Sequence, residues 1–139
     1  PGSLPPVARV LTLELNGETV AYPYDVLEKL GLVQDTLGGV DIVVFWTSGT
    51  ASALDASSVA SGRDVGAAAA FLSTLGEQPL EFVWEEPRIL DQDTRSEWDI
   101  LGKAISGDLA GKQLTPIVSV NHFWFSWAVF KPDTRVFQP

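Results

Sequence analysis

Short hydroxyl side chains follow an apolar run in the first half of the chain. Residues 43–46 are apolar and lead directly into Ser48, Thr50 and Ser52. A serine at the end of a buried strand acts as a nucleophile when a general base stands beside it. The segment lacks the Gly-x-Ser-x-Gly pattern, and the only histidine, His122, is distant in sequence. We expect these hydroxyls to bond to the turn backbone or to line a ligand-binding shelf.

A second group of chemically capable side chains is acidic. Asp91, Asp93 and Glu97 lie within seven residues and are followed by Trp98. Carboxylates at this spacing suit a hard cation, and two carboxylates beside a tryptophan suit a sugar-binding or glycosidase site. The segment lacks the glycine and the final glutamate of an EF-hand loop. The alternative is an acidic turn whose aspartates bond to their own backbone. We predict no metal and no cofactor.

The single histidine precedes a dense aromatic segment. One histidine does not make a zinc site without cysteine or several carboxylates, so we expect His122 to be packed or to act as a cap, with a ligand-binding role as the alternative. Phe123, Trp124, Phe125 and Trp127 make a short helix apolar almost all the way round. Such a helix must be covered on every side. These aromatic residues are therefore either core or an interface, with a second copy or with a missing chain segment.

Composition restricts the kinds of partner. The chain has 139 residues and a net charge of −9, and its nine basic residues are not clustered. Nucleic acid and anionic membranes are bound by groups of Lys and Arg, so neither is expected as a partner. The absence of cysteine excludes disulfides and thiolate chemistry. No apolar run is long enough for a membrane-spanning helix.

The chain length suits one domain. Pro1-Gly2-Ser3 resembles the remnant of a cleaved tag, so we assign residues 4–139 to a single domain.

Two hairpins and a helix are predicted before the hydroxyl segment. Asn16-Gly17 and Gly38-Gly39 are two-residue turn signals between apolar runs. Apolar residues on both faces of the strand before Ser48 indicate a central position in its sheet. The predicted elements are strands at 10–15 and 18–22, a helix at 24–30 ended by Gly31, and strands at 32–37 and 40–46.

The second half is predicted to contain further short strands and a final helix. A mainly β fold bordering on α+β follows, with an antiparallel curved sheet or a partly open barrel and two short helices. The predicted elements are strands at 68–75, 80–85 and 88–90, a turn at 91–95 that leads through Trp98 to residue 100, strands at 105–109 and 114–118, and a helix at 123–130 capped by Asn121.

Several short motifs together resemble a known family. They are Asn16-Gly17-Glu18, Ala21-Tyr22-Pro23, Asp35-Thr36, Gly38-Gly39-Val40, Gly49-Thr50-Ala51, Arg63-Asp64-Val65-Gly66, Asp91 with Thr94, Ser96 and Trp98, Gly107, Leu109-Ala110-Gly111, Leu114-Thr115-Pro116, Trp124 with Trp127, and Pro132-Asp133-Thr134-Arg135-Val136. In this order they resemble the bacterial and archaeal family called domain of unknown function 3179.

The resemblance implies an extracytoplasmic location and no established activity. Many members have Cys-Pro-x-Cys-Gly-Thr-Ala after the central strand, whereas this chain reads Phe45-Trp46-Thr47-Ser48-Gly49-Thr50-Ala51. A thiol-based function therefore does not transfer. Members are usually longer, so the resemblance allows this chain to be part of a longer unit.

Two functions of different classes fit these observations. The first is a non-enzymatic extracytoplasmic module that binds a small molecule or a protein, using Ser48–Ser52 with Asp91–Trp98, or the aromatic helix. The alternative is a hydrolase, acting on carbohydrate, with Asp91, Asp93 or Glu97 as general acid and base. A third, structural hypothesis is one half of a larger cupped fold.

Overall fold

Three four-stranded sheets and a small hairpin make up most of the computed structural model, which describes residues 6–47, 67–86 and 88–139. The helices are α1 (Tyr24–Leu30) and α2 (Trp124–Phe130). The strands are β1 (Arg9–Leu15), β2 (Glu18–Pro23), β3 (Leu32–Leu37), β4 (Val40–Thr47), β5 (Ala67–Leu72), β6 (Thr74–Leu75), β7 (Gln78–Pro79), β8 (Phe82–Glu85), β9 (Arg88–Asp91), β10 (Glu97–Trp98), β11 (Ala104–Ser106), β12 (Pro116–Ile117), β13 (Ser119–Phe123) and β14 (Arg135–Val136).

The strand order defines three sheets. The first sheet is β13-β1-β2-β14, the middle sheet is β12-β5-β4-β3, and the third sheet is β11-β10-β9-β8. All pairs within them are antiparallel except the parallel pair of β14 with β2. The mainly β class with two short helices is confirmed for the described residues, among which no sheet closes into a barrel.

The middle sheet separates two hydrophobic cores. Its strand β4 pairs with β3 on one side and β5 on the other, which confirms the predicted central position. Ile42, Val44 and Trp46 pack toward the first sheet, whereas Val43 and Phe45 pack toward the third sheet. The alternation of side chains along a strand places one apolar set in each core. The three sheets are therefore stacked as layers.

The helix α2 covers the outer face of the first sheet. Trp124 packs there against Val10 and Ala21, which alternate along β1 and β2 with the residues facing the middle sheet. Neither helix of the described ranges has the length and apolar character required to cross a bilayer.

The local turn signals are confirmed. Asn16 and Gly17 have φ of 52° and 83°, and Gly38 and Gly39 have φ of 59° and 80°, as two-residue hairpins require. The helix α1 has the predicted bounds and ends at Gly31, whose N–H donates to the carbonyl of Leu27.

The prediction that Asn121 caps the last helix is wrong. Asn121 lies within β13, opposite Leu11, and the N-cap residue of α2 is Phe123. The segment 119–123 was not predicted as a strand, because its pairing partner β1 is far away in sequence. The strand predicted at 68–75 is interrupted at Ser73, where the N–H turns to the carbonyl of Asp41.

Candidate functional site

The predicted hydroxyl shelf lies outside the described residues. Ser48, Thr50 and Ser52 follow the end of β4 at Thr47. Their role as ligand-binding residues stays a prediction.

Asp91 is a fully buried carboxylate surrounded by donors. The indole N–H of Trp98 donates to its Oδ1 at 2.9 Å, and the backbone N–H of Thr94 donates to its Oδ2 at 2.7 Å. The Thr94 hydroxyl donates to the same Oδ2 at 2.8 Å. The sequence-predicted pair of Asp91 and Trp98 is therefore brought together, but inside the protein rather than at a cleft.

The hydrogen bonds to Asp91 determine its charge. Burial alone would raise the pKa of Asp91, but the bonds from Trp98, Thr94 and Ser96 together outweigh burial and hold the pKa below its ordinary value. Asp91 is therefore an anion at neutral pH.

Ser96 extends this network toward the loop after β11. Its Oγ lies 2.6 Å from the Thr94 hydroxyl and accepts the N–H of Leu109 at 3.0 Å. Gly107 lies so close to Ser96 that a Cβ at position 107 would come within 2.7 Å of the Ser96 Cα. Because the network joins β9, β10 and this loop, we assign Asp91 and Ser96 a structural role.

The other predicted carboxylates point elsewhere. Asp93 is exposed in the turn after β9. Glu97 alternates with the buried Trp98 along β10 and pairs with Arg88 at 3.4 Å. Among the described residues no three His, Cys, Asp or Glu side chains form a metal-binding group. The three predicted carboxylates therefore do not come together as the paired acid and base of a glycosidase.

His122 lies at the opposite end of the stack of sheets from Asp91. It is opposite Val10 in the first sheet and packs on Trp127, with ring centroids 4.7 Å apart. Its Nε2 is buried and has no hydrogen-bond partner among the described residues. This is the packed histidine expected from the sequence, and it does not meet the carboxylates.

The four aromatic interface candidates fall into two pairs. Trp124 is buried, and the Trp127 N–H donates to the Thr134 hydroxyl at 2.7 Å. Phe123 and Phe125 are exposed and stack on each other, with centroids 6.2 Å apart. The tryptophans attach α2 to the first sheet, and the phenylalanines face solvent.

A polar cluster that sequence reasoning missed links the first and middle sheets. The Tyr22 hydroxyl donates to Asp35 Oδ2 at 2.8 Å, and Arg135 donates to the same oxygen at 3.1 Å. All three residues belong to motifs of the family resemblance, but their separation in sequence conceals the contact. Of the three, Asp35 lines an open cleft of about 300 Å³, together with Thr36 and Asp41. Those two side chains bond to each other at 3.1 Å.

Both tyrosines of the chain are expected to resist ionisation in the folded state. Burial, followed by the bond to Asp35, raises the pKa of Tyr22, and burial raises the pKa of Tyr24. A group with a raised folded pKa stabilises the fold below its unfolded pKa, and this contribution disappears as pH rises through the folded value. Absorbance at the tyrosinate band should therefore show little phenolate near pH ~10 in the native protein, but a full transition in urea. Native titration near pH ~10 would contradict the buried hydroxyls.

Comparison with known proteins identifies the family. No curated protein and no solved structure matches the chain significantly. The family described as protein of unknown function (DUF3179) matches residues 1–134. The motifs noted in the sequence contain the residues of both the Asp91–Trp98 network and the Tyr22–Asp35–Arg135 cluster. The chain therefore belongs to the DUF3179 family of proteins of unknown function.

Proposed function

We propose that this domain is a non-enzymatic protein-binding module of the extracytoplasmic space, and that its contact surface is the apolar surface of β13 and α2. This surface consists of large apolar side chains that are 47–86% exposed: Val120, Phe123, Phe125, Val129 and Phe130. Exposed apolar groups concentrated in one region are typical of interaction sites.

The charge pattern supports the same surface. The chain contains 18 acidic and 9 basic residues, but residues 113–130 contain none of either kind. Charged residues are depleted in the centre of protein interfaces, where aromatic residues are enriched. A stretch that lacks charged residues and exposes aromatic side chains is therefore suited to contact with a protein partner.

The shape of the surface supports a protein rather than a small molecule. Small ligands are held in concave pockets that bury most of their surface. Val129 and Phe130 are instead 86% and 74% exposed at the end of a short helix. The cleft of about 300 Å³ is lined elsewhere, by residues such as Gln34 and Glu81.

The positions of the predicted catalytic groups favour binding over hydrolysis. Asp91 is buried and fully hydrogen-bonded, Glu97 pairs with Arg88, and His122 lies two sheets away. An active site requires an acid, a base and a nucleophile around one position for the substrate. The extracytoplasmic location is supported by the family resemblance, and fractionation of cells producing the full-length protein tests it.

Site-specific crosslinking tests the contact surface. A photo-reactive residue at position 125 of the full-length protein, in its source cells, should form a covalent adduct with a partner protein. The matched control is position 77, which is exposed in the turn between β6 and β7. Adducts absent at 125, or equal at both positions, would contradict the proposed surface.

A substitution on α2 supplies an independent check. Phe125→Asp should abolish the adduct in a protein that carries the photo-reactive group at Phe123. Because the side chain is exposed, the free energy of unfolding should change by no more than about 0.5 kcal/mol. Urea unfolding measures this, and a large loss of stability would place Phe125 in the core instead.

A further inference from the structure

We infer that the cleft of about 300 Å³ beside β3 and β4 binds a primary ammonium group, as a site separate from the apolar surface of β13 and α2. The cleft opens at the end of β3 and β4 that Gly38-Gly39 joins, and residues 79–81, which precede β8, form its opposite wall. Thr47 and Ala67, between which the described ranges are interrupted, pair at the other end of β4 and β5. That end is about 20 Å along β4 from Asp41.

The cleft has an excess of acidic side chains. Asp35, Asp41 and Glu81 line it, and its described lining residues include no Lys, Arg or His. Arg135 pairs with Asp35 at 3.1 Å, whereas neither Asp41 nor Glu81 forms a salt bridge with any described residue. A concave site of one charge sign raises the local concentration of ions of the opposite sign. The cleft therefore attracts cations.

The placement of the acidic side chains favours an organic cation over a metal ion. Calcium is held by several oxygens that converge closely on one point. In the described ranges no three His, Cys, Asp or Glu side chains converge in this way. The volume of the cleft lies at the lower end of the range for small-molecule sites, so a short alkyl chain that carries an ammonium group suits it.

A buried hydroxyl is the second, independent feature that indicates a ligand here. Ser73 lines the cleft although the residue is only 3% exposed. Its N–H donates to the Asp41 carbonyl at 3.2 Å, and its C=O accepts the Leu80 N–H at 3.0 Å. The hydroxyl is therefore the polar group that Ser73 offers to the cleft.

The Ser73 hydroxyl differs from its polar neighbours in its hydrogen bonding. The Gln34 side chain accepts the Phe82 N–H at 2.7 Å and donates to the Leu80 carbonyl at 3.3 Å, whereas the Ser73 hydroxyl bonds to no described residue. Buried hydroxyls are normally hydrogen-bonded. An N–H of a ligand in the cleft would supply the missing partner.

An ammonium group matches this set of acceptors. It has three donors and no acceptor. The Ser73 hydroxyl accepts at the buried end of the cleft, and the exposed Asp41 and Glu81 carboxylates accept nearer to solvent. Hydrogen bonds between charged groups are stronger than those between neutral groups, so the charge of the ligand matters as much as its shape. A free amine and a lysine side chain of another protein both supply this chemistry.

NMR titration with n-butylammonium tests the site. Backbone amides of Asp41 and Ser73 should shift and saturate below about 50 mM, whereas the neutral n-butanol should cause no such change. Asp41→Asn and Glu81→Gln should each weaken binding about fivefold. Glu28→Gln is the matched control, because it removes the same charge from an exposed position on α1 and should leave the affinity unchanged.

Ser73→Ala distinguishes a built site from general attraction of cations. It should weaken binding about fivefold without lowering the free energy of unfolding, since the hydroxyl it removes has no described partner. Shifts that do not saturate, equal effects of Glu28→Gln and Asp41→Asn, or unchanged affinity in Ser73→Ala overturn the inference. A loss of stability in Ser73→Ala also overturns it, because the hydroxyl would then already have a partner inside the protein.

Further probes separate the two sources of the ammonium group. Tighter binding of N-acetyl-lysine N-methylamide than of n-butylammonium assigns the cleft to a lysine of a partner protein, and the reverse order assigns it to a free amine. Calcium that saturates the same amides at lower concentrations than either amine overturns the inference. Phe125→Asp should leave the affinity for n-butylammonium unchanged, so the cleft and the apolar surface of β13 and α2 are tested separately.

Discussion

Asp91→Asn is expected to lower the free energy of unfolding at neutral pH by about 3 kcal/mol, because a buried hydrogen-bonded anion is replaced by an amide. The side-chain nitrogen of asparagine is a donor and would face the donors of Trp98 or Thr94. At least one buried N–H would then lose its acceptor. Urea unfolding followed by tryptophan fluorescence measures the change.

Asp93→Asn is the matched control for charge. Asp93 lies two residues away in the same turn and is exposed. Its substitution removes the same charge and should change the free energy of unfolding by no more than about 0.5 kcal/mol. If both substitutions lowered the free energy of unfolding equally, the hydrogen bonds of Asp91 would not stabilise the fold more than the exposed charge of Asp93 does.

The advantage of the wild type over Asp91→Asn should depend on pH. The folded pKa of Asp91 is depressed, so its contribution is complete above the unfolded pKa of about 3.9 and is lost as pH falls through the lower folded value. The difference in unfolding free energy between the two proteins should therefore be constant from neutral pH to about pH 5 and shrink in stronger acid. A difference that grows on acidification would contradict the lowered pKa.

Gly31→Ala should destabilise the fold by a similar amount, about 3–4 kcal/mol. Gly31 has a φ of 80°, which disfavours any side chain, and a Cβ at this position would overlap the ring of Trp84. The contact matters because Gly31 ends α1 and its carbonyl accepts the N–H of Trp46 at 3.2 Å. Thermal and urea unfolding measure the loss.

Gly39→Ala separates backbone strain from the clash. Gly39 also has a φ of 80°, but a Cβ there meets no atom within 4 Å. Its substitution should cost only the left-handed strain of about 1–2 kcal/mol. In a protein that also carries Trp84→Leu, Gly31→Ala should lower the free energy of unfolding by less than it does in the wild type. Equal costs at positions 31 and 39 would rule out a role for the Trp84 ring.

Long-range contacts account for the main differences between expectation and structure. The residues next to Asn121 predict a helix cap, but pairing with β1 makes Asn121 part of a strand. The Tyr22–Asp35–Arg135 cluster joins three strands, and no spacing rule relates the three positions. The aromatic segment was recognised as an interface candidate, but the pattern did not separate the packed Trp124 from the exposed Phe125.

The residue types within a few positions were sufficient to predict the hairpin turns, α1 and the central strand. Glycine and asparagine accept positive φ, and alternating apolar residues require two buried faces, so these features are readable within a few residues. The burial of Asp91 and the separation of the carboxylates from His122 depend on how the three sheets stack. These properties arise from contacts between distant segments, and a single sequence contains no local signal for them.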